Sequence, residues 1–139
     1  MRIYSKTTAL FLKRAKILLK DILSLEMGLK VNKSRFQWKR HLYPINLVIF
    51  ERGNTLGFFD PHGYQIGLSK KLLLGTKEGL IKDILRHEMA HFWTYLEKGN
   101  IDHGPDFREA CRHFGWSETV SKATIDLVKE NEKKVYKGI

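Results

Sequence analysis

At 139 residues, 42% hydrophobic and 29% charged, the chain is long enough for one domain with its own core and too polar for an integral membrane protein. Its single cysteine, Cys111, excludes an intrachain disulfide framework and a four-cysteine zinc ribbon. Twenty-five basic against fifteen acidic residues give a net charge of +10, which favours an anionic partner: nucleic acid first, an anionic membrane surface second.

Residues 5–29 carry the period of one amphipathic helix. Phe11, Ala15, Leu18, Ile22 and Leu25 recur at spacings of three and four, Lys13, Lys16, Lys20 and Ser24 fall towards the other face, and Gly28 is the stop. Six basic residues precede the first acidic one, Asp21, a composition shared with organelle transit peptides. The apolar run Ala9–Leu12 is too short for a secretory signal, and no run approaches the roughly 20 apolar residues of a transmembrane helix. The expected location is the cytoplasm, or an association with the nucleoid or nucleus, without integral membrane association.

Residues 31–41 read as a polar connector with four basic residues around Phe36 and Trp38. Cations attract phosphates and exposed aromatic faces stack bases, so Lys33, Arg35, Trp38, Lys39 and Arg40 are the candidate nucleic-acid contacts; the other reading packs both aromatics inwards. Strands follow at 45–50, 55–59 and 64–68, separated by the turn residues of 51–54 and Asp60-Pro-His-Gly63, and together they predict a short antiparallel meander. Ser69 can cap a brief turn through Leu74, and Thr76 a long helix ended by Gly99-Asn100. Gly104-Pro105 opens another helix to Gly115, and Ser117 caps a last one over 118–134. The expected architecture is a single α+β domain over residues 1–139.

On the long helix stands His87-Glu88-Met89-Ala90-His91. Four residues advance a helix by about 400°, so His87 and His91 share a face one turn apart and can grip one Zn²⁺. Glu88 follows the first ligand closely enough to reach a water on the metal and to act as its general base. Catalytic zinc needs a third protein ligand and an open fourth position. The metzincin spacing is excluded, because Thr94 and Glu97 stand where it requires glycine and histidine. Glu109 and Glu118 can serve, but His103 is the stronger candidate, because Gly104 beside it lets backbone approach a metal. His113 reads as a core residue or a support to the ligands, and His62 as a solvated turn residue.

The stretches Tyr64–Ser69, Leu72-Leu73, His87–His91 and Asp102-His-Gly-Pro-Asp-Phe107 resemble, in that order, the SprT-like zinc metalloprotease family, which includes Spartan, a protease that degrades proteins crosslinked to DNA. The resemblance spans residues 55–116 and implies a zincin-like fold, zinc held by His87, His91 and His103, and a catalytic Glu88. The cysteine zinc ribbon of many members is missing from this sequence. The expected function is therefore a zinc-dependent endopeptidase acting on DNA-associated or DNA-crosslinked proteins, with protein substrate and DNA as partners. The alternative class is a zinc-containing nucleic-acid-binding or regulatory protein with little peptidase activity, for which Glu88 would be dispensable. The strand 64–68, directly ahead of the site helix, is expected near an open sheet edge where substrate adds as a strand; otherwise it is paired on both sides.

Overall fold

A computed structural model of the protein describes residues 5–51, 53–73 and 75–116. Ser5 caps the first helix, α1 (Lys6–Asp21), its hydroxyl accepting from the Thr8 amide at 3.2 Å. The helix then widens into a π-helical turn over Ile22–Glu26, closed by the Met27 amide on the Ile22 carbonyl at 2.9 Å. The extra residue in that turn shifts the phase of the apolar stripe. Ile22 and Leu23 are both fully buried, whereas Leu25, an expected core residue, is 80% exposed.

Residues 30–44, of which 31–41 were expected as a connector, form an antiparallel three-stranded sheet: β1 (Lys30–Asn32), β2 (Arg35–Trp38) and β3 (His41–Pro44). Asn32 pairs with Arg35 and Trp38 with His41, so each hairpin has a two-residue turn, Lys33-Ser34 and Lys39-Arg40. Both turns put a lysine at φ 55°, a position where glycine or asparagine would have been the recognisable signal. Phe36 and Trp38 alternate inwards and Arg35 and Gln37 outwards.

The second sheet holds β4 (Asn46–Phe50), β5 (Gly57–Asp60) and β6 (Gln65–Ser69) in the order β4-β6-β5. It is mixed: β6 runs antiparallel to β5 but parallel to β4, with Asn46 opposite Gln65 and Phe50 opposite Ser69. The expected meander is corrected accordingly. β4 does not turn back on β5 but leaves room for β6 between them. β6 is paired on both sides, so the sheet's edges are β4 and β5 and not residues 64–68. Its buried run Ile66–Ser69 befits a central strand, and Gly67 is required there because a Cβ would lie 2.0 Å from the Phe58 ring of the facing strand.

A 3-10 turn (Lys70–Leu73) follows, its Lys71 amide held by the Ser69 hydroxyl at 3.2 Å. Helix α2 (Glu78–Lys98) starts after Lys77, one residue beyond the expected Thr76 cap, and ends at Gly99 in the left-handed region, φ 77°. Helix α3 (Pro105–His113) begins with proline in its first turn. The expected helix 118–134 lies outside the described residues. One continuous core joins Leu19, Ile22 and Leu23 of the first helical stretch, Phe36 and Trp38 of the first sheet, Ile66 and Leu68 of the second, and Ile84, Leu85, Met89 and Phe92 of α2. No helix among the described residues is long and apolar enough to cross a membrane.

Candidate metal centre

Helix α2 is buried over nearly all of Ile84–Phe92, so its histidines point into protein on a helix that cannot rotate. The sheet of residues 30–44 holds its C-terminal half. Phe36 and Tyr43 pack on Phe92, with ring centroids 5.3 and 5.8 Å away, and Trp38 meets Trp93 edge-on at 5.4 Å. Arg86 is gripped by both carboxylate oxygens of Glu26, at 2.7 and 3.0 Å, and donates to Asp83 at 2.8 Å. Trp116 donates its indole N–H to the same Glu26 at 2.8 Å, so the residue before His87 is tied to the end of the first helical stretch and to the chain beyond α3. Burial alone would raise the Glu26 carboxyl, but these hydrogen bonds and the Arg86 charge outweigh it and hold its pKa below the usual value.

His87 and His91 stand one turn apart, each 7% exposed. His103, on the loop between α2 and α3, completes a triangle of Nε2 atoms with sides of 3.2 Å (His87–His91), 3.0 Å (His91–His103) and 3.2 Å (His87–His103). Three imidazoles on one tetrahedral ion at 2.0–2.1 Å have nitrogens about 3.3 Å apart, so the triangle fits a single zinc. Three converging ring nitrogens cannot all be satisfied by one another's protons, whereas a shared cation satisfies all three lone pairs. Burial and the neighbouring imidazoles drive the His87 pKa down to about 3, and burial with His103 takes His91 to about 4. Both are thus neutral ligands at physiological pH. Phe107, buried on α3, backs the triad with its ring 5.0, 4.6 and 5.1 Å from those of His87, His91 and His103.

Glu88 is 2% exposed, and burial pushes its carboxyl up to about 8. One of its oxygens lies against β5 at Gly57, where an added Cβ would come within 2.9 Å of Glu88 Oε2 and of the Ile84 side chain. Gly57 is thus the residue that lets the sheet edge approach the site, a role its isolated place in the sequence did not reveal.

The remaining candidates are dispersed. Among the described residues, His87, His91 and His103 form the one group of this kind able to hold a metal ion. Glu109 is exposed on α3 outside that group, and Glu118 lies outside the described residues. His113 is exposed and stacks on Trp93 at 5.6 Å instead of supporting the ligands, and His62 sits exposed in its turn, its amide bonded to Asp60 at 2.9 Å. Lys33, Arg35, Lys39 and Arg40 are exposed, but Trp38 is only 7% exposed, packed on Tyr43 and Trp93. The expectation that Trp38 stacks on bases is therefore corrected: the ring is buried against Tyr43 and Trp93, and Lys39 lies over it.

The SprT-like family model matches residues 23–127, most of the chain. No curated protein matches the sequence well enough to count as a relative. Among solved structures the fold is similar to the zymogen of a metallopeptidase, jannalysin of Methanocaldococcus jannaschii, with a TM-score of 0.50 and 22% identity over 90% of this chain and 97% of that one. A likeness at that identity speaks to the fold, and the α+β arrangement of helix, small sheets and site helix agrees with it. The family match and the three-histidine group that fits zinc together establish that the chain belongs to the SprT-like family and is a zinc metalloprotease.

Proposed function

We propose that the protein is an endopeptidase that cuts proteins bound or crosslinked to DNA, with His87, His91 and His103 as the zinc ligands and Glu88 as the proton carrier. The observation that carries the reaction is the buried carboxyl of Glu88, one residue from a ligand, on a helix held by the first sheet and by the Glu26–Arg86 pair. When bound, zinc supplies Lewis acidity, polarising the scissile carbonyl and acidifying the attacking water. Glu88 takes the proton from that water as its oxygen bonds the carbonyl carbon, then returns it to the amide nitrogen as the C–N bond breaks. In the metal-free protein burial raises the affinity of this carboxyl for a proton, and a cation held by the neighbouring histidines would favour the carboxylate, the form that accepts the proton from water. A purely structural zinc would need no such group.

For the substrate we infer an extended segment added along β5. That strand is paired on one side only among the described residues, and its Gly57 touches the Glu88 carboxylate. Main-chain hydrogen bonds along such an edge give affinity without demanding sequence, which suits a protease of varied targets. Support for DNA is electrostatic. The chain carries +10, no acidic residue occurs between Glu26 and Glu51, and Lys33, Lys39 and Arg40 crown the two hairpin turns while Arg35 faces out from β2. The test is cleavage of a basic DNA-binding protein by wild type and Glu88→Gln, each with and without single-stranded DNA. Cleavage by the wild type alone, stimulated by DNA, is expected. Zinc-loaded wild type inert in every lane would instead support the binding-protein alternative, and cleavage indifferent to DNA would remove the DNA part alone.

A further inference from the structure

The three histidines are not held alike. His87 and His91 are buried on a rigid helix, but His103 is exposed and, although Phe107 lies behind its ring at 5.1 Å, its backbone is on the short loop from Gly99 to Gly104, outside any helix. Yet its Nε2 lies 3.0 and 3.2 Å from the other two, so the shape of the loop helps to set its place. Two hydrogen bonds shape that loop. Asp102 Oδ1 accepts from the Gly104 amide at 2.9 Å, folding a tight turn with His103 at its middle. Across the neck of the loop, Asn100 Nδ2 donates to Asp106 Oδ2 at 2.8 Å, joining the residue after the α2 cap to the first turn of α3.

The neck bond has a cost that marks it as more than a surface contact. Asn100 Oδ1 is buried and has no partner among the described residues, and an unsatisfied buried oxygen is unfavourable. A hydrophobic residue in its place would avoid that penalty but leave Asp106 unbonded. Resting on the zinc reading above, we propose that Asn100 and Asp106 are positioning residues for the third ligand. Their bond fixes the two ends of the loop before metal arrives, so that His103 need not be ordered when the metal binds. An exposed ligand on an untied loop would lose that ordering entropy at each binding event and hold zinc more weakly.

The experiment is a metal-affinity measurement on the full chain, by competition with a chromophoric chelator for Zn²⁺ and by the visible absorption of the Co²⁺ form. The variants are Asn100→Ala, Asp106→Ala, the double variant, Asp106→Asn and, as control, His103→Ala. Either alanine variant should weaken Zn²⁺ by about 10- to 100-fold, the usual effect of removing support behind a ligand. The double variant should be no weaker than the worse single one, because both remove the same bond. Asp106→Asn keeps an oxygen for Asn100 to donate to, and should restore most of the affinity and the four-coordinate Co²⁺ spectrum. A merely structural role would lower the melting temperature of the metal-free protein and leave Co²⁺ geometry unchanged. Wild-type affinity in both alanine variants, or additive losses in the double one, would overturn the proposal. Wild-type affinity in His103→Ala would overturn the ligand assignment beneath it.

Discussion

Glu88 combines two demands that pull in opposite directions. The proposed proton transfer wants a carboxyl out of bulk water, yet burial penalises the charged form and lifts its pKa from 4.5 to about 8. In the metal-free protein the folded state therefore keeps the proton up to about pH 8, while the unfolded chain releases it near 4.5. Stability attached to this group is fully present below 4.5 and is lost as pH rises towards 8. Metal-free Glu88→Gln, which is neutral at every pH, should melt above metal-free wild type at pH 8 and level with it at pH 4, by thermal denaturation across that range. Equal melting at both ends would contradict the burial argument. His87 and His91 act in the reverse sense. Their folded pKa values of about 3 and 4 lie below the ordinary 6.5, so the metal-free fold loses stability as pH falls from 6.5 towards 4. At this scale most of the site was legible, because a spacing of four on a helix is geometry and Gly104-Pro105 announces a tight return. Gly57 and the Asn100–Asp106 bond were not, since each matters through a neighbour that only the folded chain supplies.

Among the elements, β5 and the π-helical turn decide how the site helix is framed. Gly57→Ala should push the sheet edge off α2 or displace the Glu88 carboxylate, costing about 1–3 kcal/mol as an overpacked contact and lowering kcat more than KM; unchanged kcat would show that the edge and the carboxylate are independent. Glu26→Ala strips Arg86 of its bidentate partner and Trp116 of its acceptor, and should cost about 1–3 kcal/mol in chemical denaturation at neutral pH. Because the folded Glu26 pKa is lowered, that contribution is present above the unfolded carboxyl's pKa and fades as pH falls below it, so the two proteins should converge in acid. These elements also mark where reading by pattern gave out. The first helix was sound until Ile22, where the widened turn moved Leu25 out of phase. The first sheet was invisible because Lys33 and Lys39 occupy left-handed turn positions without the residues that announce them. β4 and β5 looked like neighbours because strands adjacent in sequence usually pair, and nothing local says that β6 will come between them.

Over the whole molecule, charge is distributed so that the basic hairpin turns lie on a sheet whose other face packs on the site helix. Lys39 is drawn back over the Trp38 ring at 4.5 Å and towards Glu97 at 3.7 Å, leaving Lys33, Arg35 and Arg40 as the freer cations. Replacing those three with Gln should reduce the salt dependence of single-stranded DNA binding by about 0.7 in slope for each phosphate no longer neutralised. Hydrolysis of a short free peptide should not change; a wild-type slope would contradict the proposed DNA contacts of these three residues. The α+β class and the basic balance were legible from composition and order, and the family match over residues 23–127 agrees with the resemblance carried by the site motif. The measurement that tests the central claim most directly is zinc content and peptide cleavage together, in wild type and Glu88→Gln. The account predicts one zinc per chain in both proteins, cleavage by wild type, and a loss of at least about 100-fold in the variant. A variant that holds zinc and cleaves at the wild-type rate would contradict it.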